Sequence, residues 1–197
     1  HRPHFIADQR QLGESNVSDA VALLAASGGV GVLQGGGDGA ALVKAQLRLR
    51  DGCERLNRLG IRVFLAHGNH DPLDSRLNAV EWPDNVTVFG PEPERHLLEK
   101  DGRPLAVVHG ISHAKAREGR NLARFFQRDT RYDCFQLGVL HCTVEGESKA
   151  DRYAPCCLDD LKSPGLDAWA LGHVHERRVL SEEPFIAYPG NAQGLHV

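Results

Sequence analysis

A chain of 197 residues, 41 % hydrophobic and 25 % charged, has the size and make-up of one domain with a substantial core. No apolar run approaches the roughly 20 residues that span a bilayer, and no signal-peptide pattern opens the chain, so the expectation is a cytoplasmic protein without a membrane partner. The formal net charge of −3 withholds the basic surplus common in nucleic-acid binders, although a local patch could still serve.

Along the chain, "HFIAD" (4–8) predicts a short first strand ending at Asp8. "DAVALLAAS" (19–27) predicts a helix with Ser18 as its N-cap, and "GVGVLQGGGD" (29–38) a buried strand running into a Gly-rich loop that ends at Asp38. Leu42, Ala45, Leu49, Cys53, Leu56 and Leu59 recur at steps of three and four, which predicts an amphipathic helix over 41–59 with Gly60 as its C′ residue. Strands are predicted at 61–66, 85–89, 104–110, 135–140, 166–171, 177–180 and 184–190, with a helix over 114–131. Such a helix would place Arg117, Arg120, Arg124, Arg128 and Arg131 along one side, ordinarily a solvated face. Alternation of strands and helices followed by a strand-rich half predicts an α/β fold. The five cysteines have no CxxC spacing and an odd count, so free thiols are expected rather than a disulfide framework or a zinc ribbon. A chain of this length without a single Met reads as a fragment, or as one with residues missing.

The strand ends share one chemistry. Asp8, Asp38, Asn69-His70-Asp71, His141, and His173 with His175 all follow apolar runs. Ligands gather beyond the carboxyl ends of strands in open α/β sheets. Imidazole, carboxylate and amide oxygen without thiolate suit Mn, Fe or Zn in a catalytic role. The donors outnumber the needs of one ion, which favours a pair of divalent ions able to clamp a phosphate ester. His109 also follows a strand, so spacing alone does not rank it against His141. A lone histidine at a strand end is more often a satisfied structural residue, whereas Gly68-Asn69-His70-Asp71 requires four residue types to coincide.

Taken together, Gly-Asn-His-Asp, a later His and Gly-His-x-His resemble the calcineurin-like metallophosphoesterases. "VFLAHGNHDPLDS", "LGVLHCTVEG", "YAPCCLDDL", "WALGHVHERRVLSEEPFIAYPGN" and "QGLH" are similar to the bacterial DNA repair exonuclease branch of the SbcD/YhaO type, with the likeness running from about residue 41 onward. The resemblance implies a four-layer sandwich, two packed mixed sheets with helices outside, over residues 1–197. It implies that Asp38 bridges two metal ions, that Asn69, His141 and His173 hold one of them, and that Asp8 and His175 hold the other. It makes His70 the residue that positions the phosphate or protonates the leaving oxygen, with Asp71 orienting its ring. Relatives continue past this point into a small DNA-facing cap, pair with a coiled-coil ATPase and form homodimers. Arg10 stands where the resemblance expects a histidine, and Asp38 aligns with either of two family aspartates.

The function implied is metal-dependent hydrolysis of DNA phosphodiester bonds, as a Mn-dependent repair exonuclease. Two other readings compete. One is a phosphoesterase for nucleotides or other small molecules, built on the same metal core. The other is a DNA-end-binding module with a lapsed metal site, for which Arg10 speaks.

Overall fold

The computed structural model describes residues 21–25, 39–75, 80–145 and 152–190. The expected strands at 4–8 and 29–38, with Asp8, Arg10 and Asp38, lie outside the described residues.

Three strands, β1 (Val21–Ala25), β2 (Arg62–Ala66) and β3 (Val86–Val88), form a parallel sheet in the order β1-β2-β3. The run expected to be helical at 19–27 is therefore a strand in part. A short apolar stretch fits a buried strand as well as a buried helix turn, and here pairing with β2 decides. α1 (Gly39–Arg58) follows, close to its expected bounds. It ends in a Schellman motif: Gly60 N–H donates to Asn57 C=O at 2.9 Å, Ile61 N–H to Leu56 C=O at 3.0 Å, and Gly60 takes φ +71°.

The second sheet is mixed, in the order β4-β5-β6-β7-β9-β8. Its strands are β4 (Glu94–Lys100), β5 (Arg103–Ile111), β6 (Phe135–His141), β7 (Ala168–Gly172), β8 (Arg178–Glu182) and β9 (Phe185–Tyr188). β5, β6, β7 and β9 run parallel, with antiparallel β4 and β8 at the edges. β4 is an addition to the sequence expectation. Its hairpin with β5 turns at Asp101-Gly102, both at positive φ (52° and 71°), the type I′ geometry that Asp-Gly favours.

The expected helix over 114–131 is not formed. That stretch holds one 3-10 turn, Leu122–Phe125, and a short helix, α2 (Leu158–Lys162), comes later. Four of the five arginines that predicted a basic helix face instead meet carboxylates: Arg120 with Glu118 at 2.8 Å, Arg124 with Asp160 at 3.0 Å, Arg128 with Asp167 at 2.9 Å and Arg131 with Asp129 at 2.6 Å. Glu118 and Asp129 hold their guanidinium groups two residues away, whereas Asp160 and Asp167 reach Arg124 and Arg128 from 36 and 39 residues along the chain, so local and tertiary ion pairs together replace a helical stripe. Asp160 also accepts from Cys157 N–H at 2.9 Å and Asn121 Nδ2 at 2.7 Å, which ties the start of α2 to the 3-10 turn.

Side-chain alternation divides the core in two. Phe64 and Ala66 of β2 pack with Phe89, Leu98, Val108 and Val139 between the sheets. On the other face of the large sheet lie Ile111, Leu140, Trp169, Leu171, Ile186 and Tyr188, covered by Leu122, Ala123, Phe126 and Leu161. Trp169 packs over Gly138 and donates its indole N–H to Leu161 C=O at 2.7 Å. All five cysteines are free thiols. Among the described residues no helix is long and apolar enough to cross a membrane.

His109 sits on that outer face, bonded to Gln136 Oε1 at 2.9 Å, and Gln136 Nε2 donates to Asp129 C=O at 2.8 Å. Burial lowers the pKa of His109, and the bond to Gln136 offsets this in part. An unfolded imidazole titrates near 6.5. The folded group titrates below that, so its contribution to stability is whole above about pH 6.5 and is lost as pH falls through the folded value. Thermal melts should therefore show Tm falling on acidification from neutrality, with a shallower fall in His109→Gln. Superimposable slopes for the two proteins would reject His109 as a source.

Candidate metal centre

The parallel strands β2, β5, β6 and β7 all end at one side of the molecule, and their following residues form the site. β2 is a run of apolar residues, Val-Phe-Leu-Ala, that drives the chain into the core and delivers His67-Gly68-Asn69-His70 at its carboxyl end. β6 delivers His141, which is 1 % exposed. His141 has the parity of Val139 and so faces the small sheet. Its Nε2 meets Asn69 Oδ1 at 2.7 Å, although the two residues are 72 positions apart. The ring of His173, just past β7, stands edge-on to that of His141 at 5.2 Å between centroids.

His173 takes φ +103°, a backbone region that residues with a Cβ rarely adopt. Such strain costs of order 1–3 kcal/mol and persists where the surroundings over-determine it, commonly at functional sites. Here the turn after Gly172 brings the imidazole back toward His141. On its other side His173 meets the ring of Tyr153 at 5.5 Å. His175 is exposed, two residues further on. The structure thus brings together three of the expected donors, Asn69, His141 and His173.

His70 is exposed beside the buried Asn69. Asp71 is expected to orient the ring of His70, and in the structure its carboxylate is engaged elsewhere in the same turn. Asp71 instead accepts from Gly68 N–H at 3.0 Å through Oδ1 and faces His67 Nδ1 at 3.2 Å through Oδ2. The carboxylate folds back over the turn because the amide of Gly68 and the ring of His67 both lie within its short reach.

Sequence reasoning passed over three residues that build this corner. Ser112 Oγ accepts from His67 N–H at 2.9 Å. His67 is itself buried, and a histidine adjoining Gly-Asn-His-Asp carries no spacing signal of its own. His113, fully buried, lies with Nε2 at 2.8 Å from the backbone carbonyl of His141. A carbonyl only accepts, so Nε2 carries the proton and Nδ1 the lone pair. Burial pushes the pKa of His113 down, which keeps the ring neutral.

Among the described residues, no group of three or more His, Cys, Asp and Glu side chains forms a cation cage. Asn69, His141 and His173 nonetheless fit a divalent ion by the chemistry of the donor set: one amide oxygen and two imidazoles, converging from three strand ends in a largely buried corner. His109, on the opposite face of the large sheet, is excluded from that corner.

Residues 25–177 match the family model for calcineurin-like phosphoesterase. Over 157 residues the chain is 42 % identical to the uncharacterized metallophosphoesterase YhaO of Bacillus subtilis (strain 168), which covers 79 % of this chain and 38 % of that protein. The chain belongs to the calcineurin-like phosphoesterase family.

Proposed function

We propose that this calcineurin-like phosphoesterase is a DNA phosphodiesterase, an exonuclease, that works with two divalent metal ions, Mn first among them, with Fe or Zn as the alternatives. The observation that carries the metal chemistry is the 2.7 Å approach of Asn69 Oδ1 and His141 Nε2 from two different strand ends. That bond joins two strand ends 72 positions apart and sets an amide oxygen and an imidazole, both buried, beside the ring of His173, a donor set that suits a divalent ion. Asn69, His141 and His173, with the carboxylate of Asp38, would hold one ion, and Asp8 with His175 the other. When bound, such ions polarise a phosphoryl oxygen and lower the pKa of water.

The chain's own residues supply the rest. His70, exposed beside Asn69, would donate a proton to the departing sugar oxygen as the P–O bond breaks. Gly68 and His67, through Asp71, hold the turn that aims it. DNA as substrate, a coiled-coil ATPase subunit and a homodimer are part of the same proposal. They rest on the likeness of the segments around these residues to the DNA repair exonuclease branch. The chain spans well under half of the relative it matches, so they concern the whole protein.

Two measurements test this reading. Titration with Mn²⁺ should show two equivalents bound, falling in His141→Ala. End-labelled duplex DNA and bis-p-nitrophenyl phosphate should then be cleaved in a Mn²⁺-dependent manner, with nucleotide monoesters spared. Cleavage of monoesters alone would transfer the protein to the small-molecule phosphoesterases. DNA binding with no cleavage and no bound metal would mark a binding module.

A further inference from the structure

We infer that His113 is a positioning residue: it splints the loop carrying Asn69 and His70 to the end of β6, and so sets the geometry of the metal donors without touching metal or substrate itself. The inference rests on the proposed metal centre. Three segments meet at this one residue. Its backbone N–H donates to His67 C=O at 3.0 Å, and its own C=O accepts from Leu73 N–H at 3.0 Å. These bonds grip the loop on both sides of Asn69 and His70. Neighbours on either side extend the grip, through Ser112 Oγ to His67 N–H at 2.9 Å and Ala114 C=O to Asp74 N–H at 3.3 Å. The side chain then reaches the third segment. Nε2–H donates to the carbonyl of His141 at 2.8 Å, and the ring lies edge-on to the His141 imidazole, 81° between planes and 5.1 Å between centroids.

The choice of residue type is informative. The His113 ring is 0 % exposed, and its Nδ1 has no hydrogen-bond partner among the described residues. An unpartnered buried acceptor is destabilising. A phenyl ring would fill the same space without that cost, so packing alone does not account for an imidazole here. What imidazole adds is the N–H held on the His141 carbonyl. Residues that orient metal ligands in this way typically change metal affinity by about 10–100-fold when altered.

The test is Mn²⁺ affinity by titration calorimetry on the full chain, with circular dichroism to verify folding. His113→Phe keeps a ring of similar size and removes the donor, and should weaken Mn²⁺ binding by about 10–100-fold. His113→Gln keeps an N–H donor and should recover most of that loss. A folded His113→Phe with the parent affinity would overturn the inference. So would a folded His113→Gln as weak as a variant with no donor, because packing would then be all that the ring supplies. If His113→Phe does not fold, His113→Gln against the donorless His113→Leu makes the same comparison. His141→Ala separates the two levels of the argument. If it binds Mn²⁺ as the parent does, the metal centre itself is wrongly placed. If it loses Mn²⁺ while His113→Phe does not, only the role of His113 falls.

Discussion

Replacing His70 with Ala should lower kcat on a phosphodiester by about 10²–10⁴-fold, the usual worth of a positioned acid or base, while bound Mn²⁺ stays at the parent stoichiometry. The two halves of that expectation come from different observations. His70 is exposed next to Asn69, so its ring is open to a ligand, whereas the donor atoms that converge belong to Asn69, His141 and His173. Among the described residues the turn is held without the His70 ring, because Asp71 is engaged with His67 and Gly68. Steady-state kinetics on bis-p-nitrophenyl phosphate, run beside metal analysis of the same preparation, checks both halves. Undiminished turnover would remove His70 from the chemistry. Loss of metal with loss of turnover would make it a ligand instead.

A methyl group at position 68 is expected to do wider damage. The Cβ of Gly68→Ala would lie 2.4 Å from His141 Nδ1, 2.5 Å from Cε1 and 2.7 Å from Cγ, inside any real carbon contact. Neither side can yield cheaply. The Gly68 amide is bonded to Asp71, and His141 stands opposite Gly172 in the β6–β7 pairing with its ring between those of His113 and His173. Overpacking of this kind costs about 1–3 kcal/mol. The larger effect is on the site, since relief by rotation of the His141 ring would pull Nε2 away from Asn69. Denaturant unfolding with and without Mn²⁺ reads both effects. A ligand that binds only the folded state raises stability in proportion to the logarithm of its concentration over Kd. The parent should show that increment and Gly68→Ala should lose most of it. An unchanged increment in the variant would mean that His141 holds its place despite the clash, and that the contact is softer than its distances imply.

Much of the frame is legible in the residues alone. Apolar runs with polar ends mark β2, β5, β6 and β7, and the three- and four-residue steps of 41–59 mark α1 with its Gly60 stop. Those signals are local, and local signals survive translation into structure. The Asp101-Gly102 turn was equally local, and β4 could have been read from it. The failures share one cause. "DAVALLAAS" and the arginine-bearing 114–131 segment had no preference strong enough to withstand their surroundings, a neighbouring strand in one case and nearby carboxylates in the other.

The sequence by itself determined that Asn, His and Asp would collect where apolar strands end, because a period of two and an abrupt change to polar residues can be read without a partner. Which of those side chains meet was decided only by tertiary structure. His109 and His141 both sit on strands, yet His109 pairs in register with Gly138, three residues before His141, and alternation then sends the two rings to opposite faces of the sheet. Register between strands depends on how β5 and β6 align across the sheet, which no stretch of either one encodes. The same holds for Asp71, whose engagement with His67 depends on the fold of a turn, and for His113, whose hydrogen bonds join three segments that are far apart in the chain and adjacent only after folding.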